Sequence, residues 1–512
     1  MAQTGISQAI SWIVVSYWAH IIVSSFSIYA AARAVYNLHF HPAAKYPGPR
    51  LAAISNIWWA YQWMTGRYPM AIASVLREYG DVVRIGPNEL VFVTPKAATD
   101  IYASQVKGLE YFPKADFISL GLRDQGITWE RDPVKHRQKA KLLLPAFSAK
   151  SLKQKEGKLH KYIDLFIQKM KHKAEQGEEV ELRRWADWLA MDIAADLGYS
   201  HELHQVEDEK QSVVLTSVWN VNLFVTVHTI SKKFPLLGWM QYLAVPPSAV
   251  WSFYKAHSIN RGAFNHRVQS QGKLQHVDHF DHLVSSMPPN PSQAQLDSLE
   301  TICAHLSLAG SEPISSSFLC IVAFSLQYQA FHSMLVAEIR QAFNTYDEIT
   351  ASSVAPLNLL HAAMMEQLRV AVVGATGQPR VSPGATVDGH YIPKGVQVQY
   401  GNYAFTRDPR FFHDAYRYRP QRWLSKDHGL WDSAYANDRV NDFNPWSLGV
   451  RACPGMKLSS DEIKLIMAKV LWTFDVEIMH GQHVDFERDF RMYGMLTKPD
   501  VWVRFHPVVR EV

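Results

Sequence analysis

The stretch Phe443-Asn-Pro-Trp-Ser-Leu-Gly-Val-Arg-Ala-Cys-Pro-Gly455 decides how this chain is read. It sets Cys453 in a turn-forming run, with Gly449 and Gly455 on either side and Arg451 two residues before the sulfur. Glycine turns freely to positive φ, so the two glycines predict a backbone folded closely around Cys453. N–H groups aimed at a sulfur favour the thiolate, the form that ligates metals. Arg451 offers a planar fork of donors suited to a carboxylate. After Gly455, the run Met456 to Phe474 repeats its apolar residues at helical spacing. A loop feeding a helix this way puts the sulfur near a positive helix end. A lone cysteine beside a turn is ordinarily a buried free thiol, so the rest of the chain has to decide.

The run Trp446 to Gly455 resembles the cysteine-ligand signature of the cytochrome P-450 (haem-thiolate) superfamily. That signature reads Phe, two residues, Gly, one residue, Arg, one residue, Cys, one residue, Gly; only Trp446, standing for Phe, departs from it. The resemblance implies a haem b whose iron takes Cys453 as axial ligand, with Arg451 at a propionate and Trp446, Gly449 and Gly455 framing the sulfur. Ala309-Gly-Ser-Glu-Pro-Ile-Ser-Ser-Ser317 is similar to the family's oxygen-activating helix. By that likeness Ala309 and Gly310 line the dioxygen side, Gly310 admits dioxygen to the helix backbone, and Glu312 is the acidic proton relay. The alcohol expected next is Pro313, and Ser311, Ser315 or Ser316 are left to order water in its place.

Glu366 and Arg369 in Met364-Met-Glu-Gln-Leu-Arg369 share one helix face at i, i+3. Alone that is a common surface pair, but it falls at the family's spacing before Cys453. Tyr418-Arg-Pro-Gln-Arg-Trp423 resembles the family's Pro-x-Arg-Phe/Trp element, which implies a buried Glu366–Arg369–Arg422 network of structural rather than catalytic role. His136-Arg-Gln-Lys-Ala-Lys-Leu-Leu-Leu-Pro-Ala-Phe-Ser148 resembles the helix crossing the haem propionates, with His136 in place. Ala140 stands where a second basic residue is expected, and Lys139 or Lys141 are candidate substitutes. Arg380 matches a further propionate arginine. The likeness runs from about Pro47 to Val503 and implies a mainly α fold with small β-sheets.

Composition agrees with a large folded chain: 512 residues, 47% of them hydrophobic, with no repeat or charge run to divide it. A formal charge of +5 gives no case for nucleic acid. The three cysteines, Cys303, Cys320 and Cys453, form neither a disulfide framework nor a paired zinc site. Met1 to Ala32 carries no Asp, Glu, Lys or Arg, and Ile10 to Ala32 is apolar enough to cross a ~30 Å hydrocarbon layer. Arg33, Lys45 and Arg50 then place the following chain in the cytosol. Residues 1–34 are expected as a membrane anchor, 35–50, with Tyr46-Pro-Gly-Pro49, as a proline-rich hinge, and 51–512 as one catalytic domain.

Two β-branched runs around Gly86-Pro87-Asn88 predict a hairpin over Tyr79 to Val93. With Ala52 to Tyr61 it resembles the small N-terminal β-region of fungal members, notably the trichothecene-hydroxylase-like group. Leu152 to Gln176, Val180 to Leu197 and Gln293 to Ala342 read as helices. Val213 to Ala244 gathers Trp219, Phe224, Phe234 and Trp239 beside Lys232 and Lys233, as a surface dipping into lipid would. By resemblance that segment roofs the substrate channel, and Phe112 to Trp129 is a substrate-contacting loop.

The reaction implied is hydroxylation, epoxidation or desaturation of an apolar small molecule, fed by an NADPH-dependent flavoprotein reductase at the endoplasmic reticulum membrane. Two rivals stay open. One is a haem-thiolate isomerase or dehydratase without dioxygen, which Pro313 favours; the other is a non-catalytic haem-binding membrane protein.

Overall fold

The computed structural model describes residues 2–117, 126–244, 246–273, 277–285, 288, 291–372, 374 and 376–509. Most of these residues lie in helices, and the strands gather into small sheets. The predicted hairpin forms: Val82–Gly86 runs antiparallel to Glu89–Phe92. Glu89–Phe92 then pairs in parallel with Gln397–Tyr400, which holds Arg380–Val381 at the sheet's far edge. Ala52 to Tyr61, read with that β-region, is helical instead, as Arg50–Ile54 and Ile57–Met64. Trp59 and, just beyond, Trp63 are buried against Tyr68, while Tyr61 is exposed. Packing on one helical face outweighed the strand preference of aromatic residues.

The core is organised by one long helix, Gln293–Leu326, opened by a capping box between Ser292 and Gln295. The helical pattern from Gln293 to Ala342 divides at Gln327 and Tyr328, after which Gln329–Ala342 forms a second helix. Pro313 sits within the first helix without ending it. The Leu182–Tyr199 helix lies closely along it. A Cβ on Gly310 would stand 3.2 Å from Ala194 Cβ, and one on Gly198 would stand 3.0 Å from Ser307 Oγ. Small residues at the crossing therefore set the spacing of the two helices, and Gly310 has a packing reason to be glycine.

The N-terminal helix spans Ala2–Val35, and the segment Ser16–Phe40 is long and apolar enough to cross a membrane. Val213–Ser231 and Gln293–Leu326 also pass on length and composition, but the second is mostly buried inside the fold and is a core helix. The expected hinge is tied down. Arg84 donates its backbone N–H to Pro47 O at 2.7 Å and its guanidinium to Asn37 O at 2.7 Å. Val213 to Ala244 forms a helix, Val213–Ser231, then a 3₁₀ segment, Pro235–Ala244, whose Leu236, Trp239, Tyr242 and Leu243 are exposed. Of the loop Phe112 to Trp129, residues 118–125 lie outside the described residues, and Phe117 packs edge-on to Trp59 and Trp63.

Candidate active site

A cavity of about 470 Å³ opens between the cysteine loop and the long helix. Phe443, Trp446 and Cys453 line one side; Ala309, Gly310 and Pro313 line the other. The loop takes its shape from backbone geometry. Gly449 has φ +72°, and a Cβ there would stand 2.2 Å from Tyr102 O, so only glycine fits. Gly455 differs from expectation: with φ −82° it needs no glycine freedom, and a Cβ there would make ordinary contacts with Cys453 Sγ and Phe147. The loop's second residue at positive φ is Ser447, at 66°. The Cys453 N–H donates to Trp446 O at 2.8 Å, which closes the loop.

Cys453 keeps solvent access through the cavity. The protein packed around it still pushes the thiol above its ordinary value, and the Gly455 N–H works against that rise. The fan of N–H donors expected around the sulfur is thus a single backbone donor. A bound metal ion would deprotonate such a thiol, since ligation needs the thiolate. Trp446 turns its indole N–H to Ser459 Oγ at 3.2 Å, on the helix Met456–Thr473 that follows the loop.

A second corner of the cavity collects basic side chains. His136, Arg380, Arg451 and Lys114 all line it. Arg380 is buried, and its guanidinium has no carboxylate partner among the described residues. Among the described residues it donates to Gln378 O alone, at 3.5 Å, and its face lies 5.0 Å from the Tyr102 ring centre. Burial brings this guanidinium down to about 10. His136 is buried as well; burial first, then Arg451, hold it at about 4, so the ring is neutral. Arg451 donates to Glu110 at 2.7 Å and to Glu130 O at 2.6 Å.

A buried guanidinium without a carboxylate partner among the described residues, beside further basic side chains, suits a ligand carrying carboxylates. This corner, with an accessible cysteine on the same cavity, fits a haem with its two propionates. Neither Lys139 nor Lys141 takes the place left by Ala140. Lys139 donates to Gly126 O and Glu130, and Lys141 is exposed. Lys114 is the residue the structure brings there, opposite Arg380 in an isolated β-bridge. A lysine after a proline in an irregular segment carries no sequence pattern, so only the pairing reveals it.

On the opposite side, Glu312 does not line the cavity. Its Oε1 accepts from Ser316 Oγ at 3.0 Å, while Ser315 turns to Asp187 and Ser311 to Leu308 O. Helix rotation is the reason: the cavity sees residues 309, 310, 313 and 314, which puts 312, 315 and 316 on the far face. Glu462, which was not anticipated, lines the cavity from the cysteine side. Its carboxyl has no hydrogen-bond partner among the described residues, and burial pushes it up to about 8.

Away from the cavity, Glu366, Arg369 and Arg422 meet with side chains wholly buried. Arg369 grips Glu366 with two donors at 2.8 and 2.7 Å, and Arg422 reaches Glu366 at 3.2 Å. Three further donors and acceptors complete the group: the Trp423 indole at 2.8 Å, the Arg419 N–H at 2.7 Å, and Asp438, which pairs Arg422.

Comparison with known proteins bears on this arrangement. The sequence model of the family described as Cytochrome P450 matches residues 47–503. The chain belongs to the cytochrome P450 family. It is 42% identical over 488 residues to "Cytochrome P450 monooxygenase TwmD" of Talaromyces wortmannii, covering 95% of each chain. It is 32% identical to "Cytochrome P450 monooxygenase poxC" of Penicillium oxalicum, over 95% of this chain and 94% of that one. A third relative, "Cytochrome P450 monooxygenase BOA3" of Botryotinia fuckeliana, is 31% identical over 95% of this chain and 96% of its own. The protein is a fungal-type P450 monooxygenase, an oxidoreductase that incorporates molecular oxygen, and the family's cofactor is a cysteine-ligated haem b.

Proposed function

We propose that this P450 oxidises an apolar small molecule of fungal secondary metabolism, by hydroxylation, epoxidation or desaturation, with electrons from an NADPH-dependent flavoprotein reductase. The observation that carries the reading is the single cavity with Cys453 on one wall and the turn Ala309 to Pro313 on the other. Haem supplies the redox and oxygen-activating chemistry when bound. Cys453 gives the sulfur ligand, framed by Trp446, Gly449 and Gly455; Arg451, Arg380, His136 and Lys114 hold the carboxylate edge. Ala309 and Gly310 keep the facing helix close to the reacting space, and its apolar lining selects an apolar substrate. Glu312 carries protons toward the turn, and the Glu366–Arg369–Arg422 group is structural.

In this reading residues 1–34 anchor the chain in the endoplasmic reticulum membrane, 35–50 connect, and 51–512 form the haem domain in the cytosol. The exposed apolar residues of Pro235–Ala244 support a second contact with lipid. Deleting Met1 to Arg33 should leave haem loading intact and lower the membrane-bound fraction on flotation; an insoluble, haem-free product would make the segment part of the fold.

The central test is reductase-dependent NADPH oxidation on adding candidate substrates, with product and hydrogen peroxide measured together. Pro313 has neither hydroxyl nor N–H, and it removes the hydrogen bond otherwise accepted by Ala309 O. Pro313→Thr should raise the ratio of product to peroxide, since a positioned proton donor contributes ~10²–10⁴-fold. The same observation favours a second reading, a haem-thiolate isomerase or dehydratase. That reading gains if substrate is converted without NADPH and Pro313→Thr changes nothing.

A further inference from the structure

The carboxyl of Glu312 faces a set of buried polar groups on the far side of the long helix. Ser316 donates to it at 3.0 Å. One residue before Ser316, Ser315 donates to Asp187 of the Leu182–Tyr199 helix. Lys498, just past the short strand Leu496–Thr497, donates to Asp187 Oδ1 at 2.5 Å and to Ser315 Oγ at 2.5 Å. Asp187, Ser315 and Lys498 are all buried. The ammonium also lies 5.6 Å from the Trp219 ring centre, on the Val213–Ser231 helix. Three separate parts of the chain thus deliver one ammonium to the helix turn that follows Pro313.

We propose that Lys498, clamped by Asp187 and Ser315, is a positioning residue that sets the charge of Glu312 and so takes over part of the work of the alcohol missing at Pro313. The inference rests on the reading of Glu312 as the proton-carrying acid. Burial, the largest influence, drives Glu312 toward its neutral form; Lys498 and the Ser316 hydroxyl oppose this, and Asp187 adds to it. The titratable groups facing it are thus Lys498 and Asp187 from across the helix and Cys320 on its own helix. A neutral acid can give a proton but cannot take the next one, so a relay needs a carboxyl that changes state near the working pH. Ser315, which holds the ammonium, lies one helical turn from Glu312, and an opposite charge nearby favours the ionised carboxyl. Removing the Lys498 charge should therefore move Glu312 ionisation to higher pH, and removing the Asp187 charge should move it to lower pH.

The test uses the haem-loaded full chain. The infrared band of the protonated Glu312 carboxyl, assigned by its loss in Glu312→Gln, is titrated in the parent, Lys498→Met, Lys498→Arg and Asp187→Asn. The expected result is persistence of the band to higher pH in Lys498→Met, the opposite shift in Asp187→Asn, and parental behaviour in Lys498→Arg. The acidic limb of coupled turnover should move with the band. A band that stays in place in both charge-removing variants overturns the proposal, as does a band that moves while the turnover limb stays. Failure of all three variants to load haem also overturns it, because Lys498 would then belong to the scaffold. A parent that titrates as expected but consumes no oxygen with reductase sinks the monooxygenase reading and leaves the infrared result standing.

Discussion

Cys453→Ser should fold and then show no thiolate-type band in the reduced-CO spectrum and no turnover. The substitution exchanges one atom at a position open to the cavity, so little packing is lost. A serine hydroxyl stays protonated at neutral pH and gives the iron no thiolate. Nor can another cysteine take over. Cys303 and Cys320 are both buried, absent from the cavity lining among the described residues, and pushed well above the ordinary thiol value by burial. A Cys453→Ser protein that kept a thiolate-type band would refute this placement of the ligand.

Glu366→Ala should behave in the opposite way, failing before any chemistry can be measured. Its carboxylate answers two buried guanidinium groups, and it also accepts from the Trp423 indole and the Arg419 N–H. Removing one member of a buried charged set costs ~3–5 kcal/mol, because the partners keep their charge without compensation. That is a large share of the ~5–15 kcal/mol by which a folded domain is stable, so holoprotein yield should collapse. Glu366→Gln keeps the shape and exposes the electrostatic part. Burial pushes the Glu366 carboxyl up, but Arg369 and Arg422 outweigh it and hold the group below its ordinary 4.5. A carboxyl depressed in the folded state adds stability above its unfolded pKa and loses it as pH falls through the folded one. Acid unfolding below about pH 4.5 should thus be shallower in Glu366→Gln than in the parent. A soluble, fully loaded Glu366→Ala protein with slow turnover would move Glu366 from the scaffold to the chemistry.

The sequence carried the fold because the fold's charged anchors are local in pattern. Glu366 and Arg369 are one helical turn apart, and Arg451 and Cys453 belong to one loop, so short motifs resembling those of the family could group them. Partners from far along the chain were invisible. Asp187 and Lys498 are 311 positions apart, and Asp438 pairs Arg422 from a segment with no periodicity. The two glycines of the cysteine loop looked alike in sequence, yet only Gly449 occupies the left-handed region. The side to which the Glu312 carboxyl turns was illegible for another reason. A family motif names the residue, while helix phase decides which side its carboxyl faces, and here the phase points it at Ser316.

The chain between Asp408 and Gly455 contains no strand and no α-helix among the described residues, only short 3₁₀ turns. Its carbonyls find donors elsewhere. Arg369 takes Ala415 O and Arg417 O at 2.6 and 2.8 Å, together with Thr406 O just upstream at 2.8 Å, and Arg422 takes His413 O at 2.9 Å. Two side chains thus act as a mould for a segment that has no ladder of its own. Such a segment cannot fray residue by residue as a helix end does; it opens when its donors leave, in step with the helix Asn358–Val370. Amide exchange across residues 413–423 should accordingly report the opening of that remote helix. The cysteine loop, which follows along the same irregular chain, has its order set at a distance from the sulfur it presents.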